Sequence, residues 1–156
     1  MKTLILYATK HGAAREISQR IANKISDATL HDLKQGGIPS LAGFDCVIIG
    51  SSVYVGSIHK EAKAFLSQNA SVLRGKRLGL FVCGLEPNHE QEYFSSNFSQ
   101  ELLKAAKATS FMGGIFDPKK AGAMERFIMK VLAKMSGYTN TIDDGKIAQF
   151  AEVLQQ

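Results

Sequence analysis

The first residues of the chain place a strand directly before a helix, with a short loop between them. Thr3–Ala8 is an apolar run of strand length. After the loop Thr9–Gly12, isoleucines recur at every fourth position from Ile17 to Ile25, which is one stripe of an amphipathic helix. The N–H groups of such a loop and of the helix N-terminus carry partial positive charge, and a glycine lets the backbone come close to a ligand. This unit suits a phosphate, although neither G-x-G-x-x-G nor G-x-x-x-x-G-K-[ST] occurs in the chain.

Further strands are predicted from apolar runs bounded by turn residues, and further helices from apolar residues three or four positions apart. The strands are Thr29–Leu33, Phe44–Gly50, Arg77–Cys83 and Ala108–Phe116. The helices contain Ala62, Phe65 and Leu66; Phe94, Phe98 and Leu102; and Ile147, Phe150, Ala151 and Leu154, the last of them beginning at Asp143 or Asp144. This alternation predicts a doubly wound α/β fold: a five-stranded parallel sheet of order 2-1-3-4-5 with helices on both faces.

The predicted strand order places a ligand site at one edge of the sheet. Ligands of open α/β sheets bind beyond the carboxyl ends of the strands where the order reverses, here between the first and third strands. The loops at that point are Thr9–Ala14, Ser51–Ser57 and Gly84–His89. The second loop offers hydroxyl groups and the flat ring of Tyr54 beside the phosphate loop. A planar ligand with a phosphate tail suits this combination, and FMN is such a ligand.

Length and composition predict one globular unit. The chain has 156 residues, 45% of them hydrophobic, so residues 1–156 are interpreted as a single domain with a substantial core. No apolar run approaches about 20 residues, and residues 1–20 lack the apolar region of a signal peptide, which predicts a cytoplasmic protein. Cys46 and Cys83 lie at opposite ends of neighbouring predicted strands and are interpreted as reduced. No spacing of cysteine and histidine indicates a metal site.

The net charge of +5 favours an anionic partner: phosphate groups, a membrane surface or an acidic protein. A plain solvated surface is equally compatible with this charge, and no nucleic-acid motif accompanies it, so nucleic acid is not expected as a partner. Part of the basic excess lies on an additional amphipathic helix predicted at about 123–136. Its apolar face is formed by Met124, Phe127, Ile128, Val131, Leu132 and Met135, and its basic stripe by Arg126, Lys130 and Lys134. Two interpretations stay open: Ala123–Met135 makes a peripheral contact with an anionic membrane, or its apolar face packs on the sheet.

Three segments make the resemblance to a known family specific. They are Met1–Ile17 (MKTLILYATKHGAAREI), Val47–His59 (VIIGSSVYVGSIH) and Arg126–Gly137 (RFIMKVLAKMSG). With these segments the chain resembles the flavodoxin-like family over most of its length, and within it the menaquinone-dependent protoporphyrinogen IX dehydrogenase branch. The third segment is the most diagnostic, because the bare fold does not need a helix between the last strand and the last helix.

The resemblance implies FMN as cofactor and a set of residues that bind it. The phosphate would lie at Thr9, Lys10, His11, Gly12, Ala13 and Ala14, and the ring between Ser51, Ser52, Val53, Tyr54 and Gly56 on one side and Cys83, Gly84 and Leu85 on the other. Members of the family usually carry hydroxyl residues where this chain has Ala8, Ala13 and Ala14, so weaker binding of FMN is expected here, although the backbone donors remain. His59 matches a family position from which it would relay a proton, and Lys10 and Lys2 would supply positive charge.

The activity implied is an FMN-dependent oxidoreductase that takes electrons from a small-molecule substrate, protoporphyrinogen IX, and passes them to a quinone at the inner face of the membrane. The alternative is a flavodoxin-type electron carrier with no substrate of its own. Such carriers are typically strongly acidic, and the net charge of +5 argues against this alternative. A signalling receiver domain has the same strand order, but it needs an aspartate after the third strand, where this chain has Ser51.

Overall fold

The structure, a computed structural model, describes residues 1–132, residue 134 and residues 137–156. The last part of the helix expected at about 123–136, including Met135, falls outside these residues, as does the side chain of Leu132. The strands are β1 (Thr3–Ala8), β2 (Ala28–Asp32), β3 (Cys46–Tyr54), β4 (Ser57–Ile58), β5 (Arg77–Cys83), β6 (Ala106–Phe111), β7 (Ile115–Phe116) and β8 (Thr139–Asn140). The helices are α1 (Ala13–Ala22), α2 (Lys60–Arg74), α3 (Glu90–Asn97), α4 (Gln100–Ala105), α5 (Ala123–Leu132) and α6 (Asp144–Gln155).

The central sheet has the predicted topology. Its parallel strands follow the order β2-β1-β3-β5-β6, and the two-residue β4 pairs only with the end of β3. Without β4 this order is the predicted 2-1-3-4-5, so the prediction is confirmed. The inner strands β1, β3 and β5 are nearly continuous apolar runs because helices cover both faces of the sheet. Alternate residues of β3 separate the two cores: Ile49 packs towards α2, α3 and α4, and Ile48 towards α1 and α6.

The segment Ser51–Ser57, predicted as a loop, is mostly a hairpin. β3 continues to Tyr54 and turns through Val55 and Gly56, and β4 then returns antiparallel to it. Both turn residues have positive φ, +49° and +76°, as the favoured two-residue hairpin turn requires. The prediction was wrong because the hydroxyl residues after Gly50 are typical of a loop. In the structure, Val53 pairs with Ile58, and this pairing extends the strand.

The predicted strand Ala108–Phe116 is two separate strands. β6 ends at Phe111, and β7 pairs instead with β8 in a small antiparallel sheet. Gly113 has a φ of +78° in the segment between them, a conformation that suits glycine and breaks the strand. The prediction missed this break because the run is apolar on both sides of it.

The helix predicted from Phe94, Phe98 and Leu102 is also divided, into α3 and α4, although all three side chains are buried. Phe98 is extended after α3, and Ser99 caps α4 by accepting a hydrogen bond from the Leu102 N–H at 3.2 Å. The second strand covers Ala28–Asp32, one residue earlier than predicted. The last helix begins as predicted, with the Asp143 carboxylate accepting from the Lys146 N–H at 3.1 Å.

Both cysteines are buried and free, as predicted. Cys46 is paired with Arg77 at one end of β5, and Cys83 is paired with Ser52 at its other end, which keeps the two thiols apart. Among the residues that the structure describes, no helix is long and apolar enough to cross a membrane.

Candidate functional site

A cavity of about 600 Å³ lies at the carboxyl edge of the sheet, where the strand order reverses between β1 and β3. The segments after β1, at the end of β3 and after β5 meet around it, as the sequence predicted. Most of the predicted site residues line it: Thr9, Lys10, His11, Ala13, Ser52, Val53, Tyr54, Gly56, His59, Cys83, Gly84 and Leu85. Gly12, Ala14 and Ser51 do not line the cavity, although their neighbours in the chain do.

The loop after β1 is shaped by a glycine and a threonine. Gly12 has a φ of +102° and donates its N–H to the Thr9 hydroxyl oxygen at 2.9 Å, and α1 begins at the next residue. The first N–H groups of any α-helix have no partner within the helix, so those of α1 are directed at this loop. Ala14 is fully buried against the sheet and contributes only its backbone. The loop therefore offers backbone donors to an anion, as the sequence predicted for a site with few hydroxyl groups.

A lysine that the sequence did not indicate adds to the positive charge at this loop. Lys34 follows β2, and its ammonium group donates to the Thr9 carbonyl oxygen at 2.7 Å. Lys2, which was expected to contribute, precedes β1 at the opposite edge of the sheet, where its N–H donates to the Asp45 carboxylate at 2.8 Å. The prediction for Lys2 was wrong because the two ends of a strand lie at opposite edges.

Glu125 of α5 also contacts this loop. Its carboxylate forms an ion pair with Lys10 and accepts from His11 Nε2 at 2.7 Å. Burial alone would raise the pKa of Glu125, but the hydrogen bonds from Lys10 and His11 outweigh it and hold the pKa below its ordinary value. Nothing in the sequence indicated this contact, because Glu125 lies within a helix that was predicted only from its apolar face and its basic stripe.

Tyr54 forms one wall of the cavity. Its side chain is 44% exposed, and Lys10 Nζ lies 4.8 Å from the ring centroid. The hairpin of β3 and β4 fixes the position of this ring, because Tyr54 pairs with Ser57 directly before the turn. A flat, partly exposed ring beside a loop of backbone donors can stack on a planar ligand.

The opposite wall consists of backbone and small residues from β5 onward. The Gly84 N–H donates to the Gly113 carbonyl at 3.0 Å, so Gly84 and Gly114 approach each other closely at the cavity. Burial raises the pKa of the Cys83 thiol, which keeps it protonated and excludes it as a thiolate nucleophile. This wall supplies shape and no charge.

His59 and two serines form a hydrogen-bonded group at the base of the hairpin. His59 Nε2 lies 2.8 Å from the Ser52 hydroxyl, and its backbone N–H donates to the Ser51 hydroxyl at 3.0 Å. Ser51 in turn donates to the Ser52 carbonyl at 2.9 Å. Ser51 therefore positions His59 and Ser52 from behind, while these two side chains line the cavity.

The pKa of His59 is lowered chiefly by burial, and Lys34 and Lys10 add to this effect. Glu61 and Asp32 oppose it without reversing the direction. Because an ordinary histidine pKa is about 6.5, His59 is mostly neutral at neutral pH. A neutral imidazole in contact with a hydroxyl group at a cavity can accept a proton.

Changing His59 to glutamine should make the free energy of unfolding less sensitive to acid. A histidine whose pKa is lower in the folded state is protonated first in the unfolded chain, so acid removes stability as pH falls below about 6.5. Wild-type protein should lose more free energy of unfolding than His59→Gln between about pH 7 and pH 5, by at most about 1.4 kcal/mol per pH unit for one proton. Urea unfolding at several pH values measures both slopes, and equal slopes would contradict the lowered pKa.

Five further residues line the cavity although they were not among the predicted site residues: Glu86, His89, Glu92, Tyr93 and Ser96. His89 Nδ1 lies 3.0 Å from the Glu92 carboxylate, and this contact raises the pKa of His89. Tyr93 stacks on Phe111, with ring centroids 5.9 Å apart. Glu86 and His89 lie in the loop Gly84–His89 that was predicted to border the site, whereas Glu92, Tyr93 and Ser96 were missed because they belong to α3, which the sequence shows only as a helix.

α5 lies beside the cavity with only part of its apolar surface covered. Ile128 and Met129 line the cavity, whereas Met124, Phe127 and Val131 are 69%, 63% and 54% exposed. The interpretation in which the whole apolar face packs on the sheet is therefore wrong for these three residues. Among the described residues, no group of histidine, cysteine and acidic side chains could hold a metal ion.

A doubly wound sheet with its cavity between the first and third strands defines a flavodoxin-like protein. The sequence matches the flavodoxin domain family over residues 4–143, so the chain belongs to this family. It is 23% identical over 150 residues to protoporphyrinogen IX dehydrogenase [quinone] of Escherichia coli strain K12, an alignment that covers 88% of this chain and 81% of the relative. The resemblance inferred from the three sequence segments is confirmed.

Solved structures agree on the fold. Flavodoxin 2 from Bacillus cereus superposes with a TM-score of 0.63 at 18% identity, over 99% of this chain and 98% of that chain. The rubredoxin oxygen:oxidoreductase of the anaerobe Desulfovibrio gigas gives a TM-score of 0.61 at 14% identity, over 99% of this chain. This chain spans about a third, 34%, of the length of that oxidoreductase.

Proposed function

We propose that the chain is an FMN-dependent oxidoreductase whose cofactor binds in the cavity at the carboxyl edge of the sheet. The observation that carries the proposal is the meeting of a backbone-donor loop and a flat aromatic ring around one cavity of about 600 Å³. Membership of the flavodoxin domain family supports the same cofactor. Solved relatives of this fold include the flavodoxin of Fusobacterium nucleatum, which is described as bound to flavin mononucleotide.

The residues of the cavity fit the two ends of FMN. Thr9–Ala14 would hold the phosphate through the backbone N–H groups of the loop and of the first turn of α1, with the Lys10 and His11 side chains as further donors. Tyr54 would face one side of the ring, and the small residues Cys83 and Gly84 would face the other. One feature opposes the phosphate: Glu125 already engages Lys10 and His11.

FMN supplies the two-electron redox chemistry when it is bound, and the protein supplies orientation and proton handling. Ser52 and His59 are the groups at the cavity that can move a proton, since Ser52 Oγ lies 2.8 Å from His59 Nε2. With His59 mostly neutral, a proton that reaches the Ser52 hydroxyl can pass to Nε2. Ser51 acts as a positioning residue, because its hydroxyl oxygen accepts from the His59 backbone N–H at 3.0 Å.

We propose protoporphyrinogen IX as the electron donor and a quinone as the acceptor. The support is the similarity to the Escherichia coli enzyme, whose name states both, together with the apolar surface beside the cavity. Met124, Phe127 and Val131 are exposed on α5, and Arg126 and Lys130 are exposed next to them. An apolar strip flanked by basic residues suits the surface of an anionic membrane, where a quinone is dissolved. α5 is therefore proposed as a peripheral membrane contact.

The experiment has a binding part and a turnover part. Purified protein should show the visible absorbance of oxidised flavin, or apoprotein should bind FMN with quenching of flavin fluorescence. FMN-loaded protein should then oxidise protoporphyrinogen IX anaerobically with menadione as acceptor. If the protein does not bind flavin, the proposal of FMN as cofactor is wrong. If it binds FMN but protoporphyrinogen IX is oxidised no faster than without protein, only the proposal of this electron donor is wrong.

The electron-carrier alternative makes a different prediction in the same experiment. A carrier would bind FMN and exchange electrons with a reductase protein, but it would not accelerate oxidation of protoporphyrinogen IX. Vesicles provide a further discrimination, because the proposed enzyme should bind vesicles that contain anionic lipid. The variant Phe127→Ser should bind them more weakly, since Phe127 is 63% exposed.

A further inference from the structure

We infer that Glu125 is an internal counter-anion of the phosphate loop, so that binding of a phosphate and attachment of α5 to this loop exclude each other. The inference rests on the proposed function only in taking the phosphate to be that of FMN. According to this inference, Glu125 lowers the contribution that the phosphate group makes to the affinity of the ligand.

The contact is specific rather than an incidental surface ion pair. The Glu125 side chain is only 12% exposed, and its two carboxylate oxygens are divided between two partners: one contacts Lys10 and the other His11. The lowered pKa of Glu125 keeps it ionised through the neutral range. A partly buried carboxylate with both oxygens engaged is the arrangement that a bound anion would have at the same loop.

The same two side-chain donors cannot serve both anions fully. Lys10 and His11 are adjacent in the loop that would receive the phosphate, and both line the cavity. A phosphate that takes their hydrogen bonds leaves Glu125 as an unpaired carboxylate next to a dianion, which is electrostatically unfavourable. Glu125 must then leave the loop. It can do so by a change in its own side-chain conformation or together with a movement of α5, and either change breaks the contact between α5 and the loop.

Glu125 is also the link between α5 and the loop. Within residues 1–132, 134 and 137–156, the hydrogen bonds and ion pairs that join α5 to residues 9–14 are those of Glu125. Phosphate binding should therefore loosen α5, the element that carries the exposed apolar residues. In this way occupancy of the phosphate loop is coupled to the surface proposed to meet the membrane.

The test compares three ligands in three proteins. FMN, riboflavin (which has the same ring without the phosphate) and inorganic phosphate are titrated into apoprotein of wild type, Glu125→Gln and Glu101→Gln. Glu101→Gln is the matched control, because it also removes one carboxylate charge and an ion pair, with Arg74, but that pair joins α2 to α4 and does not involve α5. Glu125→Gln should bind FMN about tenfold more tightly, with riboflavin changed by less than about twofold. Inorganic phosphate should also bind more tightly to Glu125→Gln, and Glu101→Gln should behave as wild type.

Hydrogen exchange of the α5 amides checks the second half of the inference. The α5 amides should exchange faster in Glu125→Gln than in wild type. Addition of inorganic phosphate should raise the exchange rate of these amides in wild type only, because Glu125→Gln has already lost the contact that phosphate displaces. An unchanged ratio of FMN to riboflavin affinity in Glu125→Gln would overturn the inference, as would unchanged exchange of α5. If neither flavin binds any of the proteins, the FMN proposal fails, and the phosphate titration alone then decides the role of Glu125.

Discussion

Replacing Gly114 by alanine should lower the free energy of unfolding by about 2 kcal/mol and weaken FMN binding at least about tenfold. A Cβ at Gly114 would lie 2.7 Å from the Gly84 carbonyl oxygen and 3.0 Å from its carbon. Because these are backbone atoms, the clash cannot be relieved by rotation of a side chain. The Gly84 N–H also donates to the Gly113 carbonyl at 3.0 Å, which holds this backbone in place. The loop at Gly84 would have to move, and this loop is one wall of the cavity.

Gly122→Ala is the matched control for this substitution. A Cβ at Gly122 has no atom within 4 Å, so the change should alter the free energy of unfolding by less than about 0.5 kcal/mol. Urea unfolding followed by circular dichroism measures stability, and titration with FMN and riboflavin measures the site. Both flavins should lose affinity in Gly114→Ala, because the displaced wall faces the ring. Wild-type stability in Gly114→Ala would mean that the two loops are farther apart than the structure places them.

Local sequence patterns were sufficient to predict the sheet but not its irregular parts. β1, β3 and β5 are buried on both faces, so their apolar runs identify them directly. The break at Gly113 depends on Thr141, which is remote in the chain. The hairpin at Tyr54 depends on the pairing of Val53 with Ile58, which the polar residues Ser51 and Ser52 do not indicate. Strands of a buried sheet are usually apolar and the segments between them polar. The polar end of β3 and the apolar break after β6 are the reverse, so the sequence alone assigns both wrongly.

The candidate site was predictable where strand topology determines it. The three segments after β1, at the end of β3 and after β5 converge because parallel strands end at one edge. Lys34 and Glu125 could not be predicted, since each reaches the loop from a different element, Lys34 through the Thr9 carbonyl and Glu125 through Lys10 and His11. Such contacts depend on how far a flexible side chain extends from its element, which no spacing in the sequence reveals.

Replacing Tyr54 by alanine should weaken binding of FMN and riboflavin equally, by about tenfold or more. Tyr54 is the flat wall of the cavity, and stacking of a planar ring on an aromatic side chain is typically worth about 1–3 kcal/mol. The loss should not depend on the phosphate, because Tyr54 borders the ring end of the proposed site. Protein stability should change little, since the side chain is 44% exposed.

Tyr54→Phe separates stacking from the hydroxyl group, because it keeps the ring and should bind both flavins as wild type does. The substitutions at Tyr54 and Glu125 then form a pair with opposite signatures: the first changes affinity for both flavins by one factor, and the second changes their ratio. Lys10 connects the two positions, because its Nζ lies 4.8 Å from the Tyr54 centroid and it also contacts Glu125. A larger loss for FMN than for riboflavin in Tyr54→Ala would show that Tyr54 acts mainly by holding Lys10 in place. Equal losses would assign Tyr54 to the ring, as its position in the cavity indicates.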